Sequence, residues 1–220
     1  MLPCSEAPAA EHTAPEAPAS LVFAAAFNSG DSMKHVNRQG ATYHAFEGVT
    51  KSGKPKYFAS KKSSSDGGSP IDEMPDGFEF FENPANATVV IRRIKESDVT
   101  MSESKLLSEL TVRHCDCPCR VVVEGNSLVV YAAQGSNLGI SQLTSMFGAS
   151  VSELSRFANY APELKFDLFD QQRRTFLASR YCHRRSMEGW MRLSRMDGSL
   201  SELAKKLLPH IGKESFFELQ

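Results

Sequence analysis

The chain has 220 residues, enough for one large domain or two small ones, and its 41% hydrophobic and 23% charged content is that of an ordinary globular protein. A formal net charge of −1 excludes a global field toward nucleic acid or acidic lipid, so any such attraction must come from local patches. There is no run of apolar residues long enough for a membrane span, and none is expected.

The first twenty residues are rich in Ala, Pro and Glu and bury too little apolar surface to offset chain entropy. With the polar stretch NSGDSMKHVNRQG after them, they predict a disordered tail over 1–40. The start has neither a cationic segment nor an apolar secretory core. Five cysteines, an odd number crowded into one stretch, do not read as a disulfide framework. Together these point to a cytoplasmic, reducing setting.

Order is expected from about Thr42, in a hairpin-rich region over 41–132. TYHAFEGVTKSGKPKYFAS predicts two strands around a Gly/Pro turn. Residues 61–77 read as a long loop with an ordered turn at Ile71–Met74. Phe78–Glu82 and Thr88–Arg92 flank an Asn-Pro turn and predict a second hairpin. The period then changes: Met101, Leu106, Leu107, Leu110 and His114 follow helical spacing.

RHCDCPCRVVVEG, residues 113–125, places three cysteines at alternate positions. Sulfurs on one zinc lie about 4 Å apart, given zinc–sulfur bonds of about 2.3 Å. A strand rising about 3.3 Å per residue holds the backbones of Cys115 and Cys119 roughly 13 Å apart. A straight strand therefore excludes a three-cysteine metal site. With a turn at Gly125-Asn126, Val123 faces Leu128, Val121 faces Val130, and Cys119 faces Ala132, so the thiols continue a buried face. Pro118 fits only a strand start or an edge. If the strand starts after it, a bend gathers Cys115, Cys117 and Cys119, with His114 as a fourth ligand for zinc. A thiol- or metal-dependent enzyme using these cysteines and Cys182 is one alternative function.

Residues 133–220 read as a helical pair, a basic hairpin and a C-terminal helix. Helices are expected near 138–147 and 151–159, the second opened by Ser150-x-x-Glu153. Strands follow at Leu164–Phe169 and Thr175–Cys182, then a helix opened by Ser199 and ended by Pro209. KESFFEL is compatible with a helical turn or a strand. The fold class is thus α+β, antiparallel hairpins alternating with helices; 41–220 is also compatible with a single domain.

Thr144, Gly148 and Leu154 have the small residue, turn glycine and apolar residue spacing of a helix-turn-helix. With the hairpin after it, residues 138–182 resemble the winged helix-turn-helix segment of bacterial DNA-binding proteins. The resemblance implies a non-enzymatic protein that binds duplex DNA or another nucleic acid. Ser152, Ser155, Arg156 and Asn159 would lie on the recognition helix, and Arg173 and Arg174 at the wing tip. Between Arg173 and Arg195 the chain carries seven Arg, no Lys and one acid, Glu188. Arg180, Arg184 and Arg185 belong to that run and need phosphate or protein carboxylates to balance them. The other reading of the same run is an interaction or structural module whose Arg-rich face meets an acidic protein partner. No Walker loop, GxGxxG, HExxH, GxSxG or paired CxxC is present, and no catalytic residue is assigned.

Overall fold

In a computed structural model, the chain is described over residues 32–65, 67–134, 151–184 and 187–219. Its strands form three antiparallel sheets, and its helices lie between or after them, an α+β fold.

The first sheet is centred on β2 (Thr42–Val49), the strand expected there. β3 (Pro55–Ser60) returns along one edge, and β1 (Lys34–Val36) and β4 (Ser69–Pro70) share the other. The loose segment expected up to residue 40 is corrected by β1. Asn37, which is buried, organises its turn: Oδ1 accepts from the backbone N–H of Gln39 and Ala41, and Nδ2 donates to the carbonyl of Ala87. A polar composition concealed a strand whose turn is held by one polar side chain. Residues 1–31 of the expected tail lie outside the described residues.

β4 corrects part of the long loop, because glycines let it come close to β2. A Cβ on Gly48 would stand 2.4 Å from the carbonyl oxygen of Gly67, and one on Gly68 would stand 2.4 Å from that of Glu47. The second hairpin, β5 (Phe78–Glu82) and β6 (Val89–Arg93), is the one expected. Aromatic contacts join it to the first sheet: Tyr57 meets Phe78 edge-on at 4.8 Å, and His35 stacks on Phe80 at 5.4 Å.

Helix α1 (Met101–His114) starts in a capping box, Thr100 with Glu103, and buries Leu107, Leu110 and Thr111. A meander of five strands follows in the spatial order β11-β10-β9-β8-β7. It comprises β7 (Cys119–Glu124), β8 (Ser127–Ala133), β9 (Tyr160–Asp170), β10 (Thr175–Arg184) and β11 (Met187–Ser199). Between β8 and β9 lies α2 (Val151–Phe157), the second helix of the expected pair. The first, near 138–147, and the turn at Gly148 lie outside the described residues. Strands of this sheet come from both sides of the 132/133 boundary.

Helix α3 (Leu200–Leu207) is capped by Ser199 and buries Leu200, Leu203, Ala204 and Leu207 at helical spacing. Pro209 sits in a 3-10 turn, Leu208–His210, and KESFFEL contributes the short helix α4 (Ser215–Glu218). The main core joins α1, α3 and α4 to one face of the meander through Leu107, Leu128, Leu164, Phe166, Phe176 and Leu207. Among the described residues, no helix is long and apolar enough to cross a membrane.

The two halves meet at Arg38, whose side chain is only 5% exposed. It pairs with Glu82 at 2.9 Å and donates to the carbonyls of Asn83 and Ala158. Its guanidinium lies 5.3 Å from the ring centroid of Tyr160, and that of Arg120 lies 5.3 Å from the same ring.

Candidate functional site

The strand at RHCDCPCRVVVEG begins after Pro118, at Cys119. The expected pairs Val123↔Leu128, Val121↔Val130 and Cys119↔Ala132 are the observed register. Gly125, at φ +59°, occupies the left-handed conformation that this tight turn needs.

Cys115 is the C-cap of α1, and its N–H donates to the carbonyl of Thr111. Its sulfur lies 3.6 Å from the carbonyl oxygen of Leu208. Cys117 and Cys119 approach to 3.9 Å between sulfurs, and Cys119 Sγ is 3.4 Å from the carbonyl oxygen of Cys117. Helix end, bend and strand start thus gather what a straight strand would have spread. All three thiols are half-buried against the core. Hydrogen bonding to Cys115 and Cys117, together with burial, pushes the Cys119 thiol well above its ordinary value. His114 is half-buried and is the last residue of α1. Among the described residues, no group of three or more His, Cys, Asp or Glu is arranged to hold a metal ion.

Several of the residues assigned to nucleic acid are held within the protein. Arg156 is exposed, but its Nε donates to the carbonyl of Arg38 at 2.8 Å. Ser155 is half-buried, and its carbonyl accepts from Tyr160 Oη. Asn159 is exposed and accepts through its carbonyl from Gln134 N–H; Ser152 lies on α2. Arg174 grips Glu103 with Nε, at 2.9 Å, and with Nη2, which also donates to the carbonyl of Asp98. Arg180 donates from Nη1 to the carbonyl of Phe216. Arg173, 85% exposed, has its Nε 3.8 Å from Asp170.

Glu103 shows how firmly the hairpin tip is attached. Burial alone would push its carboxyl up. The hydrogen bonds from Arg174 and from the backbone and hydroxyl of Thr100 outweigh that and leave it below the usual carboxylate range. One carboxylate therefore serves the cap of α1 and the β9–β10 turn together.

A second group was not assigned to nucleic acid in sequence, although Tyr181, Trp190 and Arg192 lie within the Arg-rich run. β10 pairs with β9 only through Arg180, whereas it pairs with β11 as far as Arg184. Residues 181–184 and 187–190 therefore run on as a two-stranded ribbon beyond the pairing with β9. Lys165, Ser179 and Arg192 are cross-strand neighbours, and Tyr181 and Trp190 form another pair on the same face. The rings of Tyr181 and Trp190 meet edge-on at 5.2 Å, with Lys165 Nζ 5.2 Å from the Trp190 centroid. Trp190 and Arg192 are exposed. Lys165 also pairs with Asp167 at 3.1 Å.

Beside this face, Cys182, Glu188, Gly189, Trp190 and Met191 line a depression of about 220 Å3. Gly189 stands opposite Cys182 and leaves the space open. Arg184 ends β10, and Arg185 lies outside the described residues. The missed strand β11 explains why the face was missed. Residues 193–196 of β11 bulge opposite the single residue Ala178, which breaks the alternation that marks a strand. Comparison with protein families, with characterised proteins and with solved structures found nothing that matches this chain.

Proposed function

We propose that the protein binds nucleic acid without catalysing a reaction, through the β10–β11 ribbon. The observation that supports this is the face formed by Lys165, Tyr181, Trp190 and Arg192. Exposed aromatic rings stack on unpaired bases of any sequence, and adjacent cations neutralise phosphates. The run from Arg180 to Arg192 adds charge of the same sign: four Arg against Glu188. The expected recognition helix and wing tip contribute less in this reading. Arg156 is bonded to the loop before β2 and Arg174 to Glu103, so both support the framework. Arg173 remains an exposed phosphate contact at the tip.

The test is fluorescence anisotropy with a labelled single-stranded oligonucleotide and with its duplex, over a range of salt. The single strand is expected to bind more tightly. Trp190→Ala should weaken it by about 1–3 kcal/mol, roughly 5- to 150-fold. Arg192→Glu should reduce the salt slope by about one or more. Unchanged affinity in both variants, or equal competition by polyglutamate, would overturn the proposal. The second of these outcomes would favour an acidic protein partner.

A further inference from the structure

We propose that Cys117 and Cys119 form a site of reversible oxidation, closing an intramolecular disulfide by exchange with a low-molecular-weight disulfide of the glutathione class. Three features of the bend support it. The two sulfurs already lie 3.9 Å apart. A disulfide needs about 2.05 Å, so each sulfur moves by roughly 1 Å, within reach of a side-chain rotation. Pro118 stands between them and has no N–H to give a strand ladder, so β7 starts at Cys119 and does not run back through Cys117. The bend is anchored on both sides, by Cys115 N–H on the Thr111 carbonyl and by Ala133 N–H on the Pro118 carbonyl. The thiols therefore stay close instead of parting along a strand.

Both thiols are half-buried, open to a small reagent yet packed against the core. Cys115 also hydrogen-bonds Cys119, but its sulfur is turned to the carbonyl of Leu208 at 3.6 Å, and it is assigned no part in the bond. The Cys117 thiolate attacks one sulfur of the reagent, forming a mixed disulfide and releasing one thiolate. Cys119, losing its proton as it attacks, displaces the second thiolate and closes the Cys117–Cys119 bond. The protein loses two electrons and two protons, and one reagent disulfide becomes two thiols.

The experiment equilibrates the folded full-length chain with reduced and oxidised glutathione at graded ratios. Free thiols are then trapped with an alkylating reagent, and peptides are mapped by mass spectrometry. The oxidised protein should fall from five free thiols to three, with the chain about 2 Da lighter and the bond in the peptide that carries 115–119. Dithiothreitol should restore all five thiols. Cys117→Ala and Cys119→Ala, each checked for native circular dichroism, should abolish closure, and Cys115→Ala and Cys182→Ala should not. The peptide map of the unsubstituted chain decides the matter should a variant fail to fold. Retention of five thiols at the most oxidising ratio overturns the proposal. So does a stable mixed disulfide that does not close, a bond between chains, or a bond that includes Cys115 or Cys182.

Discussion

Replacing Arg174 by Ala removes the clamp between the β9–β10 turn and the first turn of α1. The guanidinium gives two hydrogen bonds to Glu103 and one to the carbonyl of Asp98. The side chains are 34% and 14% exposed, so the pair lies between a surface pair and a buried one. Exposed pairs contribute roughly 0.2–1 kcal/mol, and removing one partner of a buried pair costs about 3–5 kcal/mol. An intermediate cost of about 2 kcal/mol follows, or a fall in Tm of roughly 4–8 °C for a chain of this size. Urea unfolding followed by circular dichroism, and by the fluorescence of the single tryptophan Trp190, measures it. A cycle with Glu103→Gln isolates the pair and should give a coupling of about 1–2 kcal/mol. Glu103 is held below its ordinary value, so the stability it contributes is present above the unfolded carboxylate pKa, about 4.3. It is lost as pH falls through the lower folded value, and the coupling should shrink with it. Affinity for the oligonucleotide should be preserved. A coupling below about 0.5 kcal/mol at neutral pH, or one indifferent to acid, would refute the clamp.

The close passage of β4 over β2 makes Gly48→Ala and Gly68→Ala each destabilising by about 1–3 kcal/mol in the same urea assay, because the new methyl meets backbone oxygen rather than a movable side chain. Tyr131 donates to Glu124, and burial followed by that carboxylate pushes its phenol well above the ordinary value. Stability from this group is therefore full below the unfolded pKa near 10 and lost as pH rises toward the folded value. Tyr131→Phe should flatten the alkaline limb of the stability profile, and an unchanged limb would remove Tyr131 as its cause.

Elements with one clean period were legible in the sequence. The helix around Leu107 and Leu110 and the hairpin around Gly125 could be read because their buried faces recur at fixed intervals. β11 could not. Its alternation is interrupted by the bulge at 193–196, and Gly189 and Gly198 interrupt it further. Arg174 was legible as a cation at a hairpin tip, but its partner Glu103 lies 71 residues away, a distance no local pattern spans. The same holds for Arg156 and the carbonyl of Arg38. The face of Lys165, Tyr181, Trp190 and Arg192 needs the register of three strands before it exists. The cysteine bend was half legible: Pro118 marked where the strand must start, while the approach of the sulfurs depends on how α1 enters it.

The meander has a kinetic consequence. Because spatial neighbours in the sheet are also neighbours in sequence, β7–β8 and the β9–β10–β11 run can each zip locally, with little loop-closure entropy to overcome. The docking of α3 against α1 is different, since it joins the first and last walls of this core across nearly a hundred residues. That closure is the slow, non-local event, expected after the strands have paired. Substitutions at Leu203 or Leu207 should then slow folding as well as speed unfolding.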